Sequence, residues 1–211
     1  PTCIGVHQMA LDGKNPVDPD PNLGHAANLL WCMSGEKPHE SAAKVMDVSL
    51  ILYAEHDFNA STFTSRVIAS TNGDLHSCVC GGIGALKGNL HGGANEAAME
   101  MLQEIMTEVE GGSTAEAFMK HAFETKKKLM GFGHRVYKNG DHRAGILRKW
   151  GLEYCALANQ DAKKWFDLGD EVQAIMLRDK NIFPNVDFPC GMTYYALGIP
   201  VPQYTPIFVV A

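Results

Sequence analysis

The chain has 211 residues, 45% hydrophobic and 20% charged, which is enough apolar material for a buried core in one domain or two small ones. A formal net charge of −6, with no basic patch to neutralise phosphates, argues against a nucleic-acid partner, and no apolar run reaches the ~18 residues of a membrane span. The six cysteines form no Cys-x-x-Cys and no Cys/His set at zinc-binding spacing, so no metal is expected.

From the N-terminus, Pro16 to Pro21 reads as a stiff loop without chemistry. Between Ala42 and Glu55 the pattern is nearly all apolar after Val45, which predicts a helix buried on most sides. Cys78 and Cys80 flank Val79 in an apolar, glycine-rich stretch and read as small buried thiols, which fits a reducing compartment. Ala94 to Val109 is amphipathic, with Ala94, Ala97, Ala98, Met101, Leu102 and Ile105 on one face and Glu96, Glu100, Gln103 and Glu104 on the other. Gly111 and Gly112 end that helix. Ser113 with Glu116 matches a capping box that starts a helix towards Met130, with the run Lys126 to Lys128 on its solvated face or, as the other reading, forming a local anion site.

Further helices are predicted around Ile146, Leu147, Trp150 and Tyr154, and around Val172, Ile175 and Met176. A short one over Tyr194 to Leu197 is closed by Gly198 and Pro200. Strand-like alternation is nearly absent, so the fold class is all-α. The chain opens at Pro1 without an initiator Met and stops inside the apolar run Ile207 to Val210, so it reads as a piece of a longer protein.

Residues with chemical potential concentrate in four connectors: Glu55 to Ser61, Gly88 to Asn95, Leu129 to Arg143 and Lys180 to Gly191. His91 is flanked by glycines directly before the amphipathic helix, where the dipole disfavours imidazolium and a neutral ring can donate to a developing oxyanion. The alternative is a glycine-rich turn with an incidental histidine. His134, also beside glycine and nine residues before Arg143, forms with it a donor pair suited to a carboxylate or keto acid; a solvated surface loop is the other reading. Asp187 lies in an apolar aromatic patch, where burial raises a carboxylate pKa and makes it a better base, unless it is only a cap or turn former. His56 sits between acids but has no second histidine at helical spacing, which disfavours a metal, and Asn59 or Ser61 is placed to cap the next helix.

Taken together, the strings His56 to Thr62, Gly88 to Asn95, Gly131 to Tyr137, Pro184 to Asp187, and Thr205 to Phe208 resemble the citrate synthase family in order and spacing across some 150 residues. The resemblance implies an all-helical fold with residues 1–91 in a large domain, 92–191 forming a small domain, 192–211 returning to the large one, and a site in the cleft between. It implies that Asp187 takes a proton from the acyl-CoA α-carbon. His91 then stabilises the enolate, and His134 polarises the oxaloacetate carbonyl. It implies oxaloacetate binding by His56, Asn59, Arg143 and Phe208. Gly131, Phe132, Gly133 and Lys180 would lie along coenzyme A. The thioester is a substrate and no further cofactor is implied. The resemblance also implies a homodimer, which the apolar Val48 to Ala54 stretch supports; the cytoplasm is the default compartment.

Two departures stand out. The family commonly has Asp-Pro-Arg where this chain has Asp141-His142-Arg143, which is expected to loosen the loop carrying Arg143. Two further substrate-gripping arginines of the family would fall past Ala211, one of them contributed by a partner subunit, so the chain by itself is expected to be inactive. Acetyl-CoA is favoured as the donor, because Pro184 to Asp187 and Tyr194 to Pro200 look more like citrate synthases than 2-methylcitrate synthases. One methylene is nevertheless worth only ~1–3 kcal/mol of discrimination, and propionyl-CoA stays open. A citryl-CoA-cleaving domain and a non-catalytic helical module that binds acyl-CoA are the remaining readings.

Overall fold

The computed structural model describes residues 1–54 and 59–211, and among them every regular element is helical. His56 lies outside the described residues. The fold is all-α, and no described helix is long and apolar enough to cross a membrane. The chain divides into two compact units, Pro1–Lys87 with Thr205–Ala211, and Gly88–Tyr204.

In the first unit, α1 (Thr2–Leu11) packs on α2 (His25–Ser34), which packs on α3 (Glu40–Tyr53). Their core includes Met9, Leu29, Leu30, Met33, Val45, Met46 and Leu50. Tyr53 meets Phe208 edge to face at 4.3 Å, on the last helix of the chain, α11 (Tyr204–Val210). The expectation that α3 is buried on most sides does not hold. Only the stripe Ala42, Val45, Met46, Ser49, Leu50 and Tyr53 is fully buried, its flanks are half-buried, and Ile51 is 65% exposed.

Two more helices, α4 (Ala60–Ser70) and α5 (Leu75–Leu86), pack on each other. Asn59 caps the first by accepting from the Thr62 N–H, and Asp74 caps the second by accepting from the Ser77 N–H. Helix α4 buries none of its residues. Cys78 and Cys80 are not buried thiols as expected: α5 leaves Cys78 half-buried and Cys80 exposed, because its covered side is spent on the contact of Gly81 and Gly82 with α4.

The second unit is built from α6 (Ala94–Glu110), α7 (Ala115–Glu124), α8 (His142–Ala158), α9 (Lys163–Lys180) and α10 (Asp187–Ala196). Helix α10 is its axis: eight of its residues are buried, and it packs on α6, α8 and α9. Side-chain-free backbone makes this closeness achievable. A Cβ on Gly191 would stand 3.1 Å from Met99 Cβ and 3.2 Å from the Asn95 carbonyl on α6. Helix α10 also begins seven residues earlier than the short Tyr194 to Leu197 element expected, because Pro189 falls in its first turn, where a missing N–H costs nothing.

Helix α7 departs from expectation at both ends. Its cap is Thr114, whose hydroxyl accepts from the Ala117 N–H, rather than Ser113, whose own N–H still belongs to the exit of α6 through the Glu108 carbonyl. The helix stops at Glu124 instead of running to Met130. The apolar stripe Phe118, Met119, Ala122 would next require residue 126, a lysine, and Lys126 instead takes a left-handed conformation at φ 56°. Lys126 to Lys128 are therefore exposed beyond the helix, with Lys127 paired to Glu104.

Candidate active site

His91 lies in a tight double turn. The Gly88 carbonyl accepts from the N–H groups of His91 and Gly93, and the His91 carbonyl accepts from Ala94 as α6 begins. His91 itself is half-buried. Four residues on, the buried Asn95 donates through Nδ2 to the Cys190 Sγ at 3.7 Å, so the start of α6 is seated on α10 one turn beyond Asp187.

The segments Gly131 to His134 and Phe183 to Asp187 run beside each other as a short antiparallel pair. Phe132 and Pro184 form an isolated bridge, the Gly133 N–H donates to the Phe183 carbonyl at 2.8 Å, and the Asn185 N–H donates to the Gly131 carbonyl at 2.9 Å. The pair is seated on α10 by aromatic packing, with the Phe132 and Phe188 rings 4.5 Å apart. Gly131, at φ 81°, touches the backbone of Phe188 so closely that a Cβ there would sit 2.9 Å from the Phe188 Cβ. Asp187 is the first residue of α10, with Val186 as the N-cap, so it is not the cap weighed as its bland role. Asp187 itself is half-buried.

The local geometry fixes the tautomer of His134. Its Nδ1 accepts hydrogen bonds from the backbone N–H groups of Val136 at 3.0 Å and Tyr137 at 3.2 Å, which leaves the ring proton on Nε2. A neutral imidazole carrying its proton on Nε2 is the form that donates to a carbonyl oxygen. The ring stacks on Tyr137 at 4.7 Å, and the Arg143 guanidinium lies over the same Tyr137 at 5.4 Å. One phenol ring thus sets two of the expected ligand-binding groups relative to each other.

Arg143 is held from its other side by Asp141, whose side chain is 1% exposed. Asp141 Oδ1 accepts from the Arg143 backbone N–H and Nε, both at 3.0 Å, and Oδ2 accepts from Arg143 Nη2 at 2.8 Å. The same Oδ2 accepts from the Val186 N–H at 3.0 Å, one residue before Asp187. Burial works against ionising this carboxyl, but the bonds and charge of Arg143, with the two backbone N–H groups, outweigh it and hold Asp141 below the usual carboxylate range. The clamp also answers the missing proline. Residue 142 is the first of α8, where Pro is favoured, and Asp141 secures that start by its side chain while His142 stays exposed. A cavity of about 310 Å³ is lined by Asp141, Arg148, Asp170, Phe183, Phe188 and Met192.

Gly131, Phe132, Gly133, His134, Arg143 and Asp187 are therefore brought onto one hydrogen-bonded assembly, and His91 onto the helix packed against it. Lys180 stands at the end of α9 with its ammonium over the Phe123 ring at 4.4 Å. Asn59 and Phe208 belong to the other unit: the Asn59 side-chain oxygen takes the Thr62 N–H and the Ser61 hydroxyl, and Phe208 packs on Tyr53. Sequence reasoning missed Tyr137, Asp141 and Asn185. Each stands within three residues of a named candidate, and an Asp or Asn two residues before a helical candidate is a recognisable capping signal. Among the described residues no three His, Cys, Asp or Glu side chains gather as a metal site.

The family model for the citrate synthase C-terminal domain matches residues 1–211. A protein named 2-methylcitrate synthase from Mycobacterium tuberculosis (strain ATCC 25618 / H37Rv) is 41% identical over 211 residues, covering 100% of this chain and 52% of the relative. A protein named citrate synthase from Mycolicibacterium smegmatis is likewise 41% identical over 211 residues, covering 100% of this chain and 55% of the relative. A solved citrate synthase from Thermoplasma acidophilum, in ternary complex with carboxymethyl coenzyme A and oxaloacetate, superposes with a TM-score of 0.86 at 30% identity, covering 99% of this chain and 55% of that one. The chain thus spans about half the length of the relatives it matches. Matched by the model from end to end, it belongs to the citrate synthase family, within the C-terminal domain that the model describes.

Proposed function

We propose that the full protein containing this chain condenses acetyl-CoA with oxaloacetate and hydrolyses the resulting thioester, releasing citrate and coenzyme A. The observation that carries the reading is the hydrogen-bonded pair of segments that presents a neutral Nε2–H donor at His134 and a carboxylate at Asp187 on one assembly. A solved relative named for a complex with a coenzyme A analogue and oxaloacetate supports the same ligands.

In this reading Asp187 removes the α-proton of the thioester. That proton is so weakly acidic that the enolate needs a donor at its oxygen, and His91 supplies it. Such donors are typically worth about 3 kcal/mol each. The enolate carbon attacks the oxaloacetate ketone, whose oxygen takes a hydrogen bond from His134 Nε2–H. Arg143, with His56, Asn59 and Phe208, holds the keto acid, and Gly131, Phe132, Gly133 and Lys180 lie along coenzyme A. Water then cleaves the citryl thioester.

Propionyl-CoA is the second reading, because the relatives named 2-methylcitrate synthase and citrate synthase quoted above are equally identical to the chain. In the full-length protein, coenzyme A release from an acyl-CoA must require oxaloacetate. Asp187→Ala should lower that rate by about 10²–10⁴-fold, the range for a positioned general base. An Asp187→Ala enzyme of undiminished activity defeats the mechanism. Comparing kcat/KM for acetyl-CoA and propionyl-CoA decides the donor.

We also infer a homodimer. Across α4 and α5 the chain leaves Phe63 66%, Leu75 75%, Val67, Val79 and Ile83 exposed, apolar surface of the kind a second copy covers.

A further inference from the structure

Asn185 uses its side chain in two directions. Its Nδ2 donates to the Gly133 carbonyl at 2.9 Å, and its Oδ1 accepts from the Asp187 N–H at 3.0 Å. The Gly133 carbonyl belongs to the peptide group that also carries the His134 N–H, so the first bond fixes the plane from which His134 departs. The second fixes the peptide from which Asp187 departs. Glycine at 133, at φ 77°, gives that peptide no side chain of its own to restrict it. Both partners are backbone groups of known polarity, so the orientation of the amide follows without ambiguity.

We propose that Asn185 is a positioning residue that sets the spacing between His134 and Asp187. The role rests on the functional reading above, in which those two residues face the same pair of substrates. It asks for one donor and one acceptor on a single rigid plane. Aspartate offers two acceptors, serine a single rotating hydroxyl and alanine neither, so asparagine is the side chain that fits. A displacement near 1 Å between reacting groups costs on the order of 10²-fold in rate, which makes this spacing worth a dedicated residue.

The test uses the full-length protein with Asn185→Ala and Asn185→Asp. Alanine removes both bonds, whereas aspartate keeps the acceptor for Asp187 and sets an oxygen against the Gly133 carbonyl. Both variants should lose about 30- to 300-fold in kcat, bracketing that displacement penalty. The KM for oxaloacetate should stay within about threefold, because the Asp141 and Arg143 clamp does not involve Asn185.

Amide hydrogen exchange reads the bridge independently of activity. In Asn185→Ala, residues 131–137 and 183–188 should both lose protection. In Asn185→Asp, the loss should be confined to 131–137. Unchanged kcat in both variants, or a fall in kcat matched by an equal rise in the KM for oxaloacetate, overturns the proposal. Unaltered exchange in both segments overturns the bridge itself. If Asn185→Ala does not fold, the aspartate variant decides by the same two measurements. A parent protein that never releases coenzyme A from acyl-CoA and oxaloacetate removes the functional reading and the positioning role together, and the exchange pattern still reports whether the bridge exists.

Discussion

Asp141 joins two tasks in one side chain, since it fixes the Arg143 fork and also accepts the N–H that precedes Asp187. Replacing a bidentate carboxylate by an amide leaves the guanidinium short of an acceptor and turns one bond into a clash of donors. Asp141→Asn in the full-length protein should therefore cost about 1–3 kcal/mol of stability near neutral pH and raise the KM for oxaloacetate about tenfold. The sign of its pH dependence follows from the lowered pKa. The carboxylate stabilises the folded state fully above its ordinary value of 3.8, and that contribution fades as the pH falls through the lower folded-state value. Denaturation midpoints of the two proteins should differ most near neutrality and converge in strong acid. A constant difference across that range excludes the ion pair as the cause. The sequence names Asp141 only beside the missing proline and gives it no role, because its partners, Arg143 and Val186, lie two and 45 residues away, and only the second contact gives it a role beyond capping.

At the scale of elements, helices with one strong apolar stripe were the legible ones. The stripe from Ala94 to Ile105 predicts α6 almost to the residue, because a 3.6-residue period is a property of local sequence. Helix ends were less so. Whether Ser113 or Thr114 caps α7 depends on which N–H groups the exit of α6 has already used, and that contact is made by the neighbouring helix. The beginning of α10 was hidden for a different reason. Pro189 reads as a helix breaker until its place in the first turn is known. The candidate loops were found because glycine and histidine are conspicuous in connectors. Their pairing through Phe132 and Pro184 was not, since two isolated backbone bonds leave no pattern in the residues that make them.

For the whole molecule, the apolar face on α4 and α5 carries the strongest physical claim. Phe63 and Leu75 are large, apolar and more than half exposed, and α4 buries no residue within the chain. A helix pair of this kind gains its stability from whatever covers it. If the proposed dimer forms through this surface, Val79→Lys together with Ile83→Lys in the full-length protein should shift sedimentation to the monomer. A parent that sediments as an active monomer contradicts the assembly.

The unwinding of α7 at Lys126 has a consequence for handling the protein. Lys126 to Lys128 are solvent-exposed just past the end of α7, where trypsin-like proteases find their preferred side chain in a loop. A first nick there leaves His91, α6 and α7 on one fragment and the loop of His134 with Asp187 on the other. The contacts of α6 with α10 and of α7 with α9 should keep the two pieces together, which gel filtration of the nicked protein checks. Limited digestion should thus give a split protein whose two pieces can be labelled separately.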